Sequence, residues 1–285
     1  AAARALTEAR TRAVGLVLAR SAAQLEGDTF FLRFLAGIEQ ALTAADYALL
    51  LQIVPGEASA ALPAYERLAA AGRVDGFLLT DIEAGDPRFG PLSAAGVPVV
   101  LAGRPVDPSP FPWLETRHDE GIAPAVAHLA ELGHERIGFL CGRPESDHQR
   151  VRQDAWRSAL HAAGLPPGPL GHVVFDARAA ALTLLREEPT AVICAGDVLA
   201  VELYLAARSL GLTIPDDVSV IGFDDSALAA YAAPALTSVR VDYAEFGAAA
   251  ATALLAAIAS EPVPRYSASV PELVVRASTA LRRRR

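Results

Sequence analysis

Two adjacent carboxylates, Asp224 and Asp225, follow an apolar run at 218–223, where a buried parallel strand would end. In an open α/β sheet, ligands dock at the carboxyl ends of the strands. A carboxylate there can accept hydrogen bonds from two neighbouring hydroxyls of a sugar, so Asp224 is a candidate ligand contact, with loop capping as the plain alternative. Asp225 suits stabilisation of the same loop. Asp197 follows a second apolar run at 191–195, placed either to cap a helix beginning at Val198 or to face the ligand.

The other reactive residue types lack partners of the right kind. Cys141 and Cys194 lie in apolar, strand-like runs with no Cys or His at metal spacing, so both are expected as buried, reduced thiols and no metal is expected. His134 follows Gly133 at a helix end, where it favourably meets the helix dipole. The turn at 19–29 has no G-x-G-x-x-G, no G-x-x-x-x-G-K-[ST] occurs elsewhere, and no nucleophile stands in a recognisable motif. Neither an enzyme nor a cofactor is expected.

The elements that position these residues alternate as strand and helix, the pattern of parallel βαβ units. Strands are expected at 13–19, 48–54, 76–80 and 97–102, with helices over the Phe30 to Leu42 stripe, 59–72 and 87–96. Residues 105–112 read as a long Pro-rich connection. A second series has strands at 136–141, 173–175, 191–195 and 218–223, with helices over 123–132, 150–163, 178–187 and 198–210. In the stretch that ends this series, Gly211 suits a helix C-terminus and Pro215 keeps the helix from resuming. A helix at 243–260 and a strand at 272–277 remain after the second series is complete.

The expected fold is therefore α/β: two doubly wound parallel-sheet lobes with a ligand cleft between them. The expected division is 12–116 plus 242–268 for the first lobe and 117–241 plus 269–281 for the second, with a linker at 1–11 and a basic, solvated tail at 282–285.

Composition narrows the function. With 285 residues, 52% hydrophobic and 20% charged, the chain can fill two cores and is not disordered. No apolar run approaches the roughly 18 residues that span a bilayer, so no membrane partner is expected. A formal net charge of −8 argues against a surface that grips nucleic acid by itself. No early stretch has the order of a secretion signal, which points to the cytoplasm.

Several motifs occur together: Val14-Gly15-Leu16-Val17, Asp28-Thr29-Phe30-Phe31 with Gly37-Ile38-Glu39, Asp75-Gly76-Phe77, Pro98-Val99-Val100, and Leu132-Gly133-His134-Glu135-Arg136-Ile137-Gly138. They continue through Gly211 to Asp225, Pro234-Ala235-Leu236-Thr237-Ser238-Val239 and Leu273-Val274-Val275-Arg276-Ala277-Ser278. In this order they resemble the LacI/GalR family of bacterial transcription regulators, from about residue 2 to residue 279.

The resemblance implies a ligand-responsive, DNA-binding repressor, of which this chain is the effector-binding and dimerising core. The effector would be a sugar or related polar metabolite, the assembly a homodimer with helix 59–72 at its interface. Operator DNA would be reached through a helix-turn-helix domain absent from this sequence, and through a hinge helix whose end Ala2-Ala3-Arg4-Ala5-Leu6 resembles. Arg4 and Leu6 would be its DNA contacts, Leu6 wedging between base steps; a disordered end is the competing reading.

The resemblance also singles out Arg152, in Arg150-Val151-Arg152-Gln153-Asp154-Ala155-Trp156, as a guanidinium fork for two ligand oxygens, with Arg150 the lesser candidate and a surface ion pair the alternative. Asp28, Phe30 and Phe31 match the family's asparagine-proline-phenylalanine-phenylalanine, whose aromatic faces would stack on a sugar ring. Phe31 also fits the core stripe of its helix, and Asp28 also fits a helix N-cap. Gly196 stands where the family has an asparagine, and Arg117-His118 where it has aspartate-asparagine, which would add positive charge and favour an acidic effector. A solute-binding protein of a transporter shares the fold but requires a secretion signal.

Overall fold

The structure is a computed structural model that describes residues 10–20, 29–56, 58–105, 107–142, 147–264, 266 and 268–283. It separates into two units, Ala1–Glu115 with Tyr243–Ala268, and Thr116–Asp242 with Ser269–Arg285.

Unit 1 contains β1 (Ala13–Ala19), α1 (Thr29–Ala44), β2 (Ala48–Val54), α2 (Ala58–Ala70), β3 (Gly76–Leu79), α3 (Phe89–Ala95), β4 (Val99–Ala102), β5 (Trp113–Leu114) and α9 (Tyr243–Ile258). Its sheet runs β2-β1-β3-β4-β5 and is parallel throughout. Both faces are covered, and the strands show it in their alternation. Val14, Leu16 and Leu18 of β1 pack into the core built by α1 and α9, whereas Val17 joins Phe77 and Leu79 of β3 against α2 and α3. At Gly37 of α1 a Cβ would overlap the Ala244 carbonyl oxygen of α9, so this close helix crossing requires glycine.

Unit 2 contains α4 (His118–Glu131), β6 (Ile137–Cys141), α5 (Asp147–Ala162), β7 (Leu170–His172), α6 (Ala177–Leu185), β8 (Ala191–Cys194), α7 (Asp197–Ser209), β9 (Ser219–Asp224), α8 (Ala227–Tyr231), β10 (Thr237–Arg240) and β11 (Glu272–Val274). The sheet order is β11-β10-β9-β8-β6-β7, with β11 alone antiparallel. Leu140, Val192 and Val220 face α6 and α7, while Phe139 stacks on Trp156 of α5 with ring centroids 5.4 Å apart.

Four local expectations need correction. The strand expected at 173–175 lies instead at Leu170–His172, because Val174 and Phe175 are exposed and the Asp176 carboxylate accepts from Ala179 N (3.1 Å) to start α6. The connection expected at 105–112 ends in the two-residue β5, which pairs with β4. Helix α4 begins at His118 rather than 123, since Asp119 and Glu120 suit the positive end of its first turn. Neither α8 nor β10 is anticipated: α8 has five residues, and β10 buries Thr237 and Ser238 where an apolar run would be the signal.

Candidate functional site

In unit 2 the polar groups gather at the carboxyl edge of the sheet. Arg152 of α5 is buried, and its Nη1 donates to Ala195 O, just past β8, at 2.6 Å. Its Nη2 lies 3.4 Å from His118 Nε2 and 3.6 Å from Asp224 Oδ1, and its Cζ sits 3.9 Å from the centroid of Phe223. A guanidinium held over a ring and pinned at one nitrogen has little freedom to turn its fork. Arginine only donates, so His118 Nε2 is the acceptor and its proton sits on Nδ1. Burial, then the Arg152 charge, then His148, hold the His118 imidazole well below 6.5, so at neutral pH it is uncharged.

The expectation of added positive charge from Arg117-His118 is thereby corrected. His118 is neutral, and Arg117 forms an ion pair with Glu120 one turn along α4.

Asp224 has φ +100° and Asp225 has φ +45°, a region that costs a non-glycine residue on the order of 1–3 kcal/mol and survives only where the surroundings over-determine it. Two buried carboxylates do so here. Asp225 binds Arg240 Nε at 2.8 Å and Arg276 Nη2 at 2.7 Å, and its N–H donates to Ser238 Oγ at 3.1 Å. Asp197 accepts from Ser226 N and from Ser238 Oγ, both at 2.6 Å.

Asp197 thus does not cap α7. It is the first residue of that helix, the N-cap is Gly196 without a side-chain bond, and both Asp197 oxygens are engaged by the segments flanking Asp224. These two bonds tie Asp197 to the loop that follows Asp224 and to the neighbouring strand β10.

Burial, reinforced by the charge of Asp224, raises the Asp197 pKa from 3.8 to about 6, while the Ser238 and Ser226 bonds pull it down. A carboxyl whose pKa rises on folding contributes stability that is full below the unfolded value and is lost as pH climbs through the folded one. Between pH 7 and pH 5 the wild type is expected to gain about 1 kcal/mol over Asp197→Asn. Melting temperatures of the two proteins across that range check this, and parallel curves would refute it.

In unit 1 Phe30 is half-buried, edge-on to Tyr243 with centroids 4.3 Å apart and stacked on Phe34 at 5.7 Å. Phe31 is 3% exposed and belongs to the α1 core, so its expected stacking face is closed off. Asp28, Arg4 and Leu6 lie outside the described residues.

His134 is buried, its Nε2 3.1 Å from Ala280 O, next to Gly133 in the left-handed conformation (φ 82°) that ends α4. Cys141 and Cys194 are buried free thiols; burial pushes the Cys141 pKa up to about 12, and that of Cys194 rises too, so neither supplies a thiolate. Among the described residues no group of three or more His, Cys, Asp and Glu could hold a metal, and no helix is long and apolar enough to cross a membrane.

The residues sequence reading missed are those that act through the loop. Ser226 carries no motif, while Ser238 and Phe223 stand in the family-like stretches at 234–239 and 211–225 without a signal that sets them apart from their neighbours.

Residues 126–279 match the profile of a periplasmic binding protein-like domain. The HTH-type transcriptional regulator MalR of Streptomyces coelicolor is 38% identical over 215 residues, covering 71% of this chain and 62% of MalR, so the match spans about three-fifths of that relative. The HTH-type transcriptional regulator CelR of Thermobifida fusca is 32% identical over 251 residues, covering 84% of this chain and 72% of CelR. The crystal structure of a LacI family transcriptional regulator from Bifidobacterium animalis superposes with a TM-score of 0.85 at 29% identity, over 96% of this chain and all of that one. A CelR–cellobiose complex superposes with a TM-score of 0.81 at 27% identity, over 97% of this chain and 89% of that one. The chain belongs to the LacI/GalR family of transcriptional regulators and carries its periplasmic-binding-protein-like domain.

Proposed function

We propose that this chain is the effector-sensing core of a repressor that acts on operator DNA as a homodimer, and that its effector is an uncharged sugar. The observation that carries the reading is the Arg152–Asp224 pair at the carboxyl edge of β9, donor fork beside acceptor carboxylate. Adjacent hydroxyls of a saccharide both donate and accept, which such a pair satisfies. His118 is neutral and Arg117 is paired with Glu120, so neither of these two residues offers a surplus cation for a phosphate. The relatives add weight: one is named MalR, and CelR is seen with cellobiose. In the intact regulator an effector that binds one form better than the other shifts their equilibrium by that difference in affinity, and the DNA-binding part reads the shift.

The test is a thermal-shift screen with glucose, maltose, cellobiose, glucose 6-phosphate and adenine. A ligand at 100 times its Kd adds about 2.7 kcal/mol of stability. A neutral saccharide is expected to raise Tm, and Arg152→Met or Asp224→Asn to weaken its Kd by about 30-fold or more, the usual result of removing one partner of a buried charge pair. A response confined to the phosphate or the purine would overturn the uncharged-sugar reading.

A further inference from the structure

The carboxylates of Asp197, Asp224 and Asp225 meet at the carboxyl edge of the unit 2 sheet, and they are not equally provided with cations. Asp224 Oδ1 lies 3.6 Å from Arg152 Nη2, and Asp225 binds Arg240 and Arg276. Asp197 is 2% exposed, yet among the described residues it is held by neutral donors, Ser226 N and Ser238 Oγ, each at 2.6 Å. A carboxylate taken out of water without a cation favours its neutral form.

A second negative charge is close. β8 and β9 are adjacent and parallel, and a Cβ on Gly196, the residue before Asp197, would lie 3.7 Å from Asp224 Oδ2. Burial first, and the Asp224 charge second, lift the Asp197 pKa to about 6. A carboxyl that takes a proton also needs an acceptor for it, and Ser226 carries one. That residue is 4% exposed, its N–H already holds Asp197 Oδ2, and its Oγ has no hydrogen-bond partner among the described residues. A proton on Oδ2 leaves Oδ1 able to accept from Ser238 as before.

We infer that Asp197 binds a proton from solvent together with the effector: when a neutral saccharide seats on Asp224, the Asp197 carboxyl becomes protonated and donates to Ser226 Oγ. The sugar displaces water from this edge, which strengthens the repulsion between the two carboxylates, and the proton removes it. Linkage is reciprocal, so acid tightens sugar binding. The inference rests on the effector reading above. The surrounding groups keep their charge between pH 6 and pH 8. Arg152 of α5, Arg240 of β10 and Arg276 are cations throughout, burial keeps the Cys194 thiol and the Tyr204 phenol protonated, and His118 of α4 charges only well below 6.5. His148 of α5 is exposed and acts on His118.

Isothermal titration of the whole chain with cellobiose and maltose at pH 6.5, in PIPES and in imidazole, counts the protons taken up, because the two buffers differ in ionisation enthalpy. A tenfold coupling, near the low end for linked sites, corresponds to about half a proton at pH 6.5 and to a Kd about fivefold lower at pH 6 than at pH 8. Asp197→Asn is expected to abolish both effects, Ser226→Ala to shrink both, and His148→Gln to leave both as in wild type. Should Asp197→Asn not fold, Ser226→Ala decides alone. Sugar binding by wild type with a buffer-independent enthalpy overturns this inference and leaves the effector reading standing. So does uptake that survives in Asp197→Asn, that is undiminished in Ser226→Ala, or that disappears in His148→Gln. No binding of either sugar by wild type overturns both.

Discussion

Arg88→Met is expected to destabilise the protein by about 3–5 kcal/mol, the usual loss when one member of a buried ion pair is removed and the other is left alone. Arg88 is 2% exposed, and the side chain of its partner Asp86 is fully buried. Without the guanidinium, Asp86 keeps an uncompensated charge, and the carbonyls of Thr80 and Asp81 lose the donor they share. Methionine fills most of the volume, so the loss is electrostatic rather than a cavity. Adding Asp86→Asn is expected to restore part of it, since the stranded charge disappears. Denaturant unfolding of the two single variants and the double variant gives the coupling directly. A change below about 1 kcal/mol for Arg88→Met would mean that water reaches Asp86 and that the Thr80–Asp81 turn is held by other contacts.

Such an ion pair shows where local sequence pattern stops being informative. Strand β1 coincides with the apolar run at 13–19, because a strand inside a parallel sheet writes its burial as an uninterrupted hydrophobic run, whereas β2 at 48–54 is an edge strand, interrupted by Gln52 and only partly buried. β10 escapes the same reading. Its buried Thr237 and Ser238 are satisfied by Ser278 and Asp197, partners about forty residues away in the chain.

The site divides the same way. Asp224 and Arg152 are conspicuous because an ionisable residue at a strand end or in a helix's first turns has few neutral explanations. Asp197 looks like a helix cap because local rules place a carboxylate there, yet Ser226 N and Ser238 Oγ compete for it successfully. Phe31 satisfies a stacking motif and a core stripe at once; its periodicity with Phe34 and Ile38 decides in favour of the core.

Gly222→Ala is expected to cost about 3 kcal/mol or more and to weaken effector binding as well, although residue 222 has no side chain to touch a ligand. A Cβ at this position of β9 would overlap Asp197 Oδ1 and lie 2.8 Å from Leu236 Cδ2 and 3.3 Å from Ser238 Oγ. None of these neighbours is at liberty to retreat: Leu236 is fully buried, and Asp197 and Ser238 are bonded to each other. The methyl therefore either displaces Asp197, breaking its bonds to Ser226 N and Ser238 Oγ, or shifts β9 against β10. Each charge-assisted bond lost is worth about 1.5–3 kcal/mol. Both routes release the constraint that keeps Asp224 at φ +100°, and a residue in that region relaxes once its supports fail. Unfolding in denaturant and titration with the saccharide identified by thermal shift measure the two consequences separately. Lost stability with unchanged sugar affinity would show that the Asp224 carboxylate is aimed by Arg152 alone. Loss of both would show that the glycine of this strand is part of the binding apparatus because of what its missing methyl allows Asp197 to reach.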